Sequence, residues 1–136
     1  MSIKPPLLHS TKPVVLILVV DDEAVLRELI CEVLEGEGFV TEALENADLA
    51  MEFLTLRSSE VALLLTDINM PGSINGAALA TLSAHTWPPI PIVVMSGLET
   101  PESAGLSTNL MFIRKPFSIE KVLGCVHSAL QAAHAY

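Results

Sequence analysis

Three acidic residues, one hydroxyl and one lysine stand where the hydrophobic runs of this chain stop. Asp21 and Asp22 close the run at residues 14–20, and Asp67 closes a second at 61–65 by way of Thr66. Ser96 closes a third at 90–95, and Lys115 follows the short run at 111–113. Carboxylates that meet at one rim repel each other, by roughly 4 kcal/mol per pair at 4 Å and an effective dielectric of 20, unless a cation neutralises them. Carboxylate and carbonyl oxygens with no His or Cys beside them suit a hard ion. Mg2+ in particular takes one or two carboxylates, keeps several waters and shares phosphate oxygens. Phosphate chemistry follows from that choice. A carboxylate can act as nucleophile and form an aspartyl phosphate, and Asp67 is best placed to do so. Lys115 would neutralise a phosphoryl oxygen, while the Ser96 hydroxyl and nearby backbone amides would donate hydrogen bonds to the others.

These groups are far apart in the chain, so the elements between them must bring them together. Residues 14–20 and 61–65 are continuous aliphatic runs, the pattern of central parallel strands buried on both faces. Leu26, Leu29, Ile30, Val33 and Leu34 recur at three- and four-residue intervals, predicting a helix with Asp22 and Glu23 near its start and Gly36 and Gly38 as stops. Residues 39–43 read as a short second strand. Residues 46–56 read as a helix capped by Asn46, and 77–82 as a short helix after the turn residues Pro71 and Gly72. Pro88 and Pro89 break the chain before a fourth strand at 90–95, a fifth follows at 111–113, and Ile119, Val122, Leu123, Val126 and Leu130 mark a final helix. Strand and helix alternate throughout. That alternation predicts a doubly wound α/β fold, a parallel sheet with helices on both faces joined by right-handed crossovers. Ligands in such sheets bind beyond the carboxyl ends of the strands, so Asp21, Asp22, Asp67, Ser96 and Lys115 should converge on one edge.

Composition narrows the function classes. The chain has 136 residues, 51% of them hydrophobic, and a formal charge of -9, with a pI near 4.7. One core suffices at this size. The acidic balance repels phosphate backbones and anionic headgroups, so direct nucleic-acid binding is not expected. The most apolar run is far shorter than the ~20 residues that span a bilayer, so no membrane partner is expected either. Cys31 and Cys125 form no disulfide framework and match no metal spacing, which fits a reducing, cytoplasmic setting. Residues 1–12, with Pro5 and Pro6 and no periodicity, read as a flexible N-terminal leader, and 13–136 as a single domain.

Taken together, Val19-Val20-Asp21-Asp22, Thr66-Asp67-Ile68-Asn69-Met70-Pro71-Gly72, Met95-Ser96-Gly97 and Lys115-Pro116-Phe117 resemble the receiver domain of bacterial two-component response regulators, over residues 14–130. The resemblance implies a five-stranded, flavodoxin-like parallel sheet in the order 2-1-3-4-5. It implies Asp67 as phosphoryl acceptor, with Mg2+ held by Asp22 directly, Asp21 through water, Asp67 itself and the backbone carbonyl of Asn69. Ser96 takes the position of the hydroxyl switch residue, Phe112 that of the aromatic switch and Lys115 that of the family's lysine. The phosphoryl group would come from phosphohistidine on a sensor histidine kinase or phosphotransfer protein, the receiver itself assisting transfer and later hydrolysis. Movement of Ser96 would let Phe112 turn inward and reshape the surface of the fourth helix, fifth strand and fifth helix for a downstream protein target. A cis Lys115–Pro116 bond, and a homodimer through the fourth-helix to fifth-helix face, are further family expectations. With no output domain after Tyr136, the expectation is a stand-alone receiver, or one excised from a hybrid kinase.

The sequence departs from the family at three places. Phe112 stands where Tyr is commoner, which removes a phenol hydrogen bond. The stretch between Ser96 and Phe112 is short and carries Pro101 and Gly105, so a helix there should be short or irregular. One extra residue lies between Pro71 and Gly76, beside the acceptor. Simpler readings exist for each motif alone: Asp21 and Asp22 as solvated helix-opening residues, Ser96 and Gly97 or residues 69–72 as plain turns, Lys115 as a surface charge, Phe112 as core. His9, His85, His127 and His134 show no paired spacing and read as incidental. Two rival classes remain. A phosphatase-like enzyme with an aspartyl-phosphate intermediate would carry a second acid at position 69, where Asn69 stands, and a pure interaction module would not need the intact set Asp22, Asp67, Ser96 and Lys115.

Overall fold

Leu16–Val20 (β1) is buried along its whole length, as an aliphatic segment with no polar face must be when it forms the middle of a sheet. The structure is a computed structural model that describes residues 14–97, 105–106 and 110–133. After β1 come Ala24–Gly36 (α1), Val40–Leu44 (β2), Ala47–Arg57 (α2), a 3-10 turn at Ser58–Glu60, Val61–Asp67 (β3), Gly76–Thr86 (α3), Ile92–Ser96 (β4), Met111–Arg114 (β5) and Ile119–Ala133 (α4). The five strands are parallel and ordered β2-β1-β3-β4-β5, the order expected from the sequence. The helix expected between Ser96 and Phe112 lies outside the described residues apart from Gly105 and Leu106, as does the leader. The C-terminal helix is therefore α4.

Alternate strand residues serve two cores. Leu16, Leu18, Val20, Leu64, Ile92 and Val94 face one side, where α2 and α3 contribute Ala50, Leu54, Leu79 and Ala80. Ile17, Val19, Leu63, Leu65, Val93 and Met95 face the other, against Ile30, Leu34, Val122 and Val126 of α1 and α4. Each fully buried Leu, Ile or Val contributes roughly 1.5–3 kcal/mol relative to exposure, so the sheet is anchored from both faces.

Local chemistry sets the element ends, and several differ from the sequence reading. The first strand begins at Leu16 rather than residue 14, because Val14 extends beyond the neighbouring strands and is 75% exposed. The second is shifted by one residue to Val40–Leu44 and is only half-buried, as an edge strand is. The fourth begins at Ile92, since Ile90 closes a turn by donating its amide to the Trp87 carbonyl at 3.0 Å. The third helix runs from Gly76 to Thr86, longer than the apolar stretch 77–82; its last turn is carried by small and polar residues that show no hydrophobic period. Asn46 caps α2 as expected, accepting from the Leu49 amide at 2.8 Å. The α1 stop is a Schellman turn: Phe39 N donates to Leu34 O, Gly38 N donates to Glu35 O, and Gly38 takes φ +94°. The helix α1 begins at Ala24 with Glu23 at its N-cap and Asp22 just before it, so both acids stand near its start as expected, although its first turn holds none.

Candidate functional site

Strand register brings the site together. Val20 pairs with Thr66, so the residues that follow, Asp21 and Asp67, leave the sheet side by side. Asp67 pairs with Met95, and Ser96 with Arg114, which places Ser96 beside the acceptor strand and Lys115 beside Ser96. All five chemistry-bearing residues named from the sequence thus gather at the carboxyl edge. The Lys115 amide donates to the Ser96 carbonyl at 2.7 Å, aiming the lysine from a fixed base. Its Nζ lies 3.4 Å from Asp67 Oδ1 and 4.0 Å from Asp21 Oδ2. The Lys115–Pro116 bond is cis, as expected.

Asp21 and Asp67 are both buried, Asp22 is exposed, and one oxygen from each of the three can lie within 4.8 Å of the others. Burial pushes the Asp67 carboxyl up to about 6; Lys115 pulls it down and Asp21 pushes it further up. Burial likewise raises Asp21, against the opposing pull of the Glu23 amide and Lys115. Asp21 Oδ1 accepts from that amide at 2.9 Å, whereas its Oδ2 is buried with no hydrogen-bond partner among the described residues. Among the described residues one lysine faces this set, which leaves negative charge uncompensated. The unpartnered oxygen and the all-oxygen donor set fit a hard divalent cation, and the exposed Asp22 side leaves room for its waters.

The other sequence candidates take supporting positions. Ser96 is 1% exposed at the end of β4. Phe112 is half-buried on β5 opposite Val94 and packs on the core shared with α2 and α3. Asn69 is exposed in the loop after β3.

Three features escaped the sequence reading. Glu23 brings a further carboxylate to Lys115, at 3.9 Å. Arg27 Nη1 donates to the Asp21 carbonyl at 2.7 Å and braces the acidic loop from α1. Gly76 is the third: its amide donates to the Ile68 carbonyl at 2.8 Å, and a Cβ there would stand 1.6 Å from the Asp67 carbonyl oxygen. Only glycine allows α3 to start so close to the acceptor's backbone. A glycine directly after a capping Asn75 was the one available signal, and it does not disclose what the helix start abuts.

A family model of the response regulator receiver domain matches residues 17–127. The chain belongs to the receiver-domain family of response regulators. It is 30% identical over 118 residues to the DNA-binding transcriptional regulator NtrC of Escherichia coli K12, covering 85% of this chain and 24% of that protein. It is 31% identical over 119 residues to the nitrogen assimilation regulatory protein NtrX of Azorhizobium caulinodans, covering 85% of this chain and 26% of that protein. The chain thus spans about a quarter of the length of these relatives. Among solved structures, the NtrX receiver domain of Brucella abortus is 31% identical, with a TM-score of 0.73 over 85% of this chain and 98% of that one. A response regulator receiver protein of Sinorhizobium medicae is 28% identical, with a TM-score of 0.81 over 88% and 97%.

Receiver domains are the phosphoaccepting switches of two-component phosphorelays rather than enzymes in the usual sense. They exchange phosphoryl groups with histidine kinases or phosphotransfer proteins and typically bind Mg2+ at an acidic pocket. The acidic cluster of this receiver domain is compatible with that role. Among its described residues no helix is long and apolar enough to cross a membrane.

Proposed function

We propose that this receiver domain accepts a phosphoryl group on Asp67 from the phosphohistidine of a sensor histidine kinase or phosphotransfer protein. The observation that carries the reading is the buried Asp67 carboxylate held 3.4 Å from Lys115, beside an Asp21 oxygen that has no hydrogen-bond partner among the described residues and only the 4.0 Å contact with the same lysine. In the transfer the bond from phosphorus to the histidine nitrogen breaks as the bond to an Asp67 oxygen forms. Lys115 balances charge on the transferring oxygens and the Ser96 hydroxyl donates to one of them. Asp22, Asp21, Asp67 and the Asn69 carbonyl would hold Mg2+, which neutralises phosphoryl charge when bound. Attack of water on the phosphorus later returns the carboxylate, so the domain assists both its loading and its resetting.

Exposed apolar side chains follow the acidic loop on α1 and Lys115 on α4. Val25 is 82% exposed directly after the acidic loop, and Leu29 and Ile119 are about half exposed across a shallow groove floored by Ile30 and Val122. We infer that the phosphodonor protein docks on this patch, which lies beside both Asp22 and the segment after Lys115. The output is a population shift: phosphorylation draws the Ser96 hydroxyl toward the phosphoryl group, Phe112 turns inward, and the outer surface of β5 and α4 changes for a downstream protein. We place this exchange in the cytoplasm, where the free thiols of Cys31 and Cys125 stay reduced.

The test is the intact mass after incubation with a small-molecule phosphodonor, with and without Mg2+, beside Asp67→Asn. A Mg2+-dependent gain of one phosphoryl group, absent in the variant, is expected. An equal gain in Asp67→Asn would move the acceptor elsewhere.

A further inference from the structure

The loop after the acceptor strand, residues 68–75, is fastened at its base, along its length and at its tip. At the base the Gly76 amide donates to the Ile68 carbonyl at 2.8 Å. Along its length Met70 is buried and Ile74 packs on the core shared with α2 and α3. The tip is tied to a different element. The Ser73 amide donates to Asp48 Oδ2 at 3.1 Å, and the Ser73 hydroxyl donates to Oδ1 of the same carboxylate. Asp48 stands in the first turn of α2, a helix whose start is itself fixed by the Asn46 cap.

The backbone conformation at the tip dictates a residue type. Gly72 has φ +131°, and a Cβ there would lie 2.7 Å from Asp48 Oδ2. The two hydrogen bonds from Ser73 hold the Asp48 carboxyl below its ordinary range. Asn69, whose carbonyl would be a Mg2+ ligand, lies between the base and the tip of this loop.

We propose that the Asp48–Ser73 pair is a latch that holds the Asn69 carbonyl in place for the metal, making Asp48 a positioning residue that touches neither metal nor phosphoryl group. The inference rests on the Mg2+ reading above and adds a determinant of affinity to it. A carbonyl on a free loop must be ordered when the ion binds, and that entropy cost weakens binding; a loop already held meets less of it.

The experiment is calorimetric titration of the full chain with Mg2+, for the wild type, Asp48→Ala, Asp48→Asn and Ser73→Ala. Asp48→Ala is expected to weaken Mg2+ by about ten-fold, the low end of what outer-shell partners contribute. Ser73→Ala, which keeps the amide bond, should lose less. Asp48→Asn should stay near the wild type, because its side-chain oxygen still accepts from the Ser73 amide. Phosphorylation by a small-molecule donor at saturating Mg2+ should proceed at the wild-type rate in all of them. Wild-type affinity in Asp48→Ala overturns the latch and leaves the metal reading standing. Equal losses in Asp48→Ala and Asp48→Asn would trace the effect to charge and also overturn it. If Asp48→Ala fails to fold, Ser73→Ala decides: unchanged affinity there removes the latch. A wild-type chain that takes up no Mg2+ removes both the latch and the metal site.

Discussion

The middles and the carboxyl ends of the same strands are built on opposite terms. The middles of β1, β3 and β4 are aliphatic residues sealed between two helical layers, where every buried group is apolar and stabilising. At and just beyond their carboxyl ends the same strands bury Asp21, Thr66, Asp67 and Ser96, groups whose desolvation is unfavourable. The difference teaches where stability and function divide in this molecule. The apolar middles hold the chain together firmly enough to keep a crowded, charged rim in place, and that rim carries the chemistry.

The sharpest challenge to that division is Gly76, where the rim depends on backbone packing alone. Gly76→Ala drives a Cβ into the Asp67 carbonyl and should cost more than about 3 kcal/mol, in the range reserved for overpacking and strain. Urea unfolding measures it, and a midpoint matching the wild type would mean that α3 can draw back from the acceptor. A middle residue comes next. Leu64→Ala empties a fully buried site between β3 and its helices and should cost about 2–5 kcal/mol, while the fraction that stays folded still accepts a phosphoryl group. Loss of phosphoryl acceptance in a fully folded Leu64→Ala protein would show that the middles also do chemistry.

The acceptor itself should act in the opposite sense. Burial pushes the Asp67 carboxyl up to about 6 in the folded chain, above the ordinary value of 3.8, so between those values the folded state binds more protons than the unfolded one. Its stabilising contribution is therefore present at low pH and is lost as pH rises through 6. In the metal-free protein, stability should fall on going from pH 5 to pH 7, with Asp21 shifted in the same direction. Asp67→Asn should remove most of that slope and raise stability at pH 7 by on the order of 2 kcal/mol. Parallel urea series in chelator would check this; identical pH slopes in the two proteins would contradict the buried-charge account. The smallest effect belongs to the surface. The Arg57–Glu60 pair is half exposed and joins residues far from the rim, so Glu60→Gln should leave both the melting temperature and phosphorylation unchanged.

Much of this was legible beforehand. Fully apolar strands announce burial on both faces, and a polar residue closing each of them marks the sheet edge, so Asp21, Asp67 and Ser96 could be named without coordinates. Asn46 was readable as a cap because its partner is three residues away. The end of α3 was not, because residues 83–86 have no hydrophobic period and their helicity follows from continuing hydrogen bonds. Glu23 reads as a helix-opening acid and does stand at the N-cap of α1, but its reach to Lys115 across the site was not legible.

What the sequence by itself determined is the alternation of strand and helix, the family, and the identity of the groups at each strand end, because those are written in local periodicity and in short motifs. The tertiary structure alone decided which groups meet: Lys115 with Asp21, Glu23 and Asp67, Gly76 against the acceptor's carbonyl, and Asp48 with Ser73. Those contacts join residues brought together by strand register and helix packing, and no spacing rule along the chain encodes a distance that only the folded sheet creates.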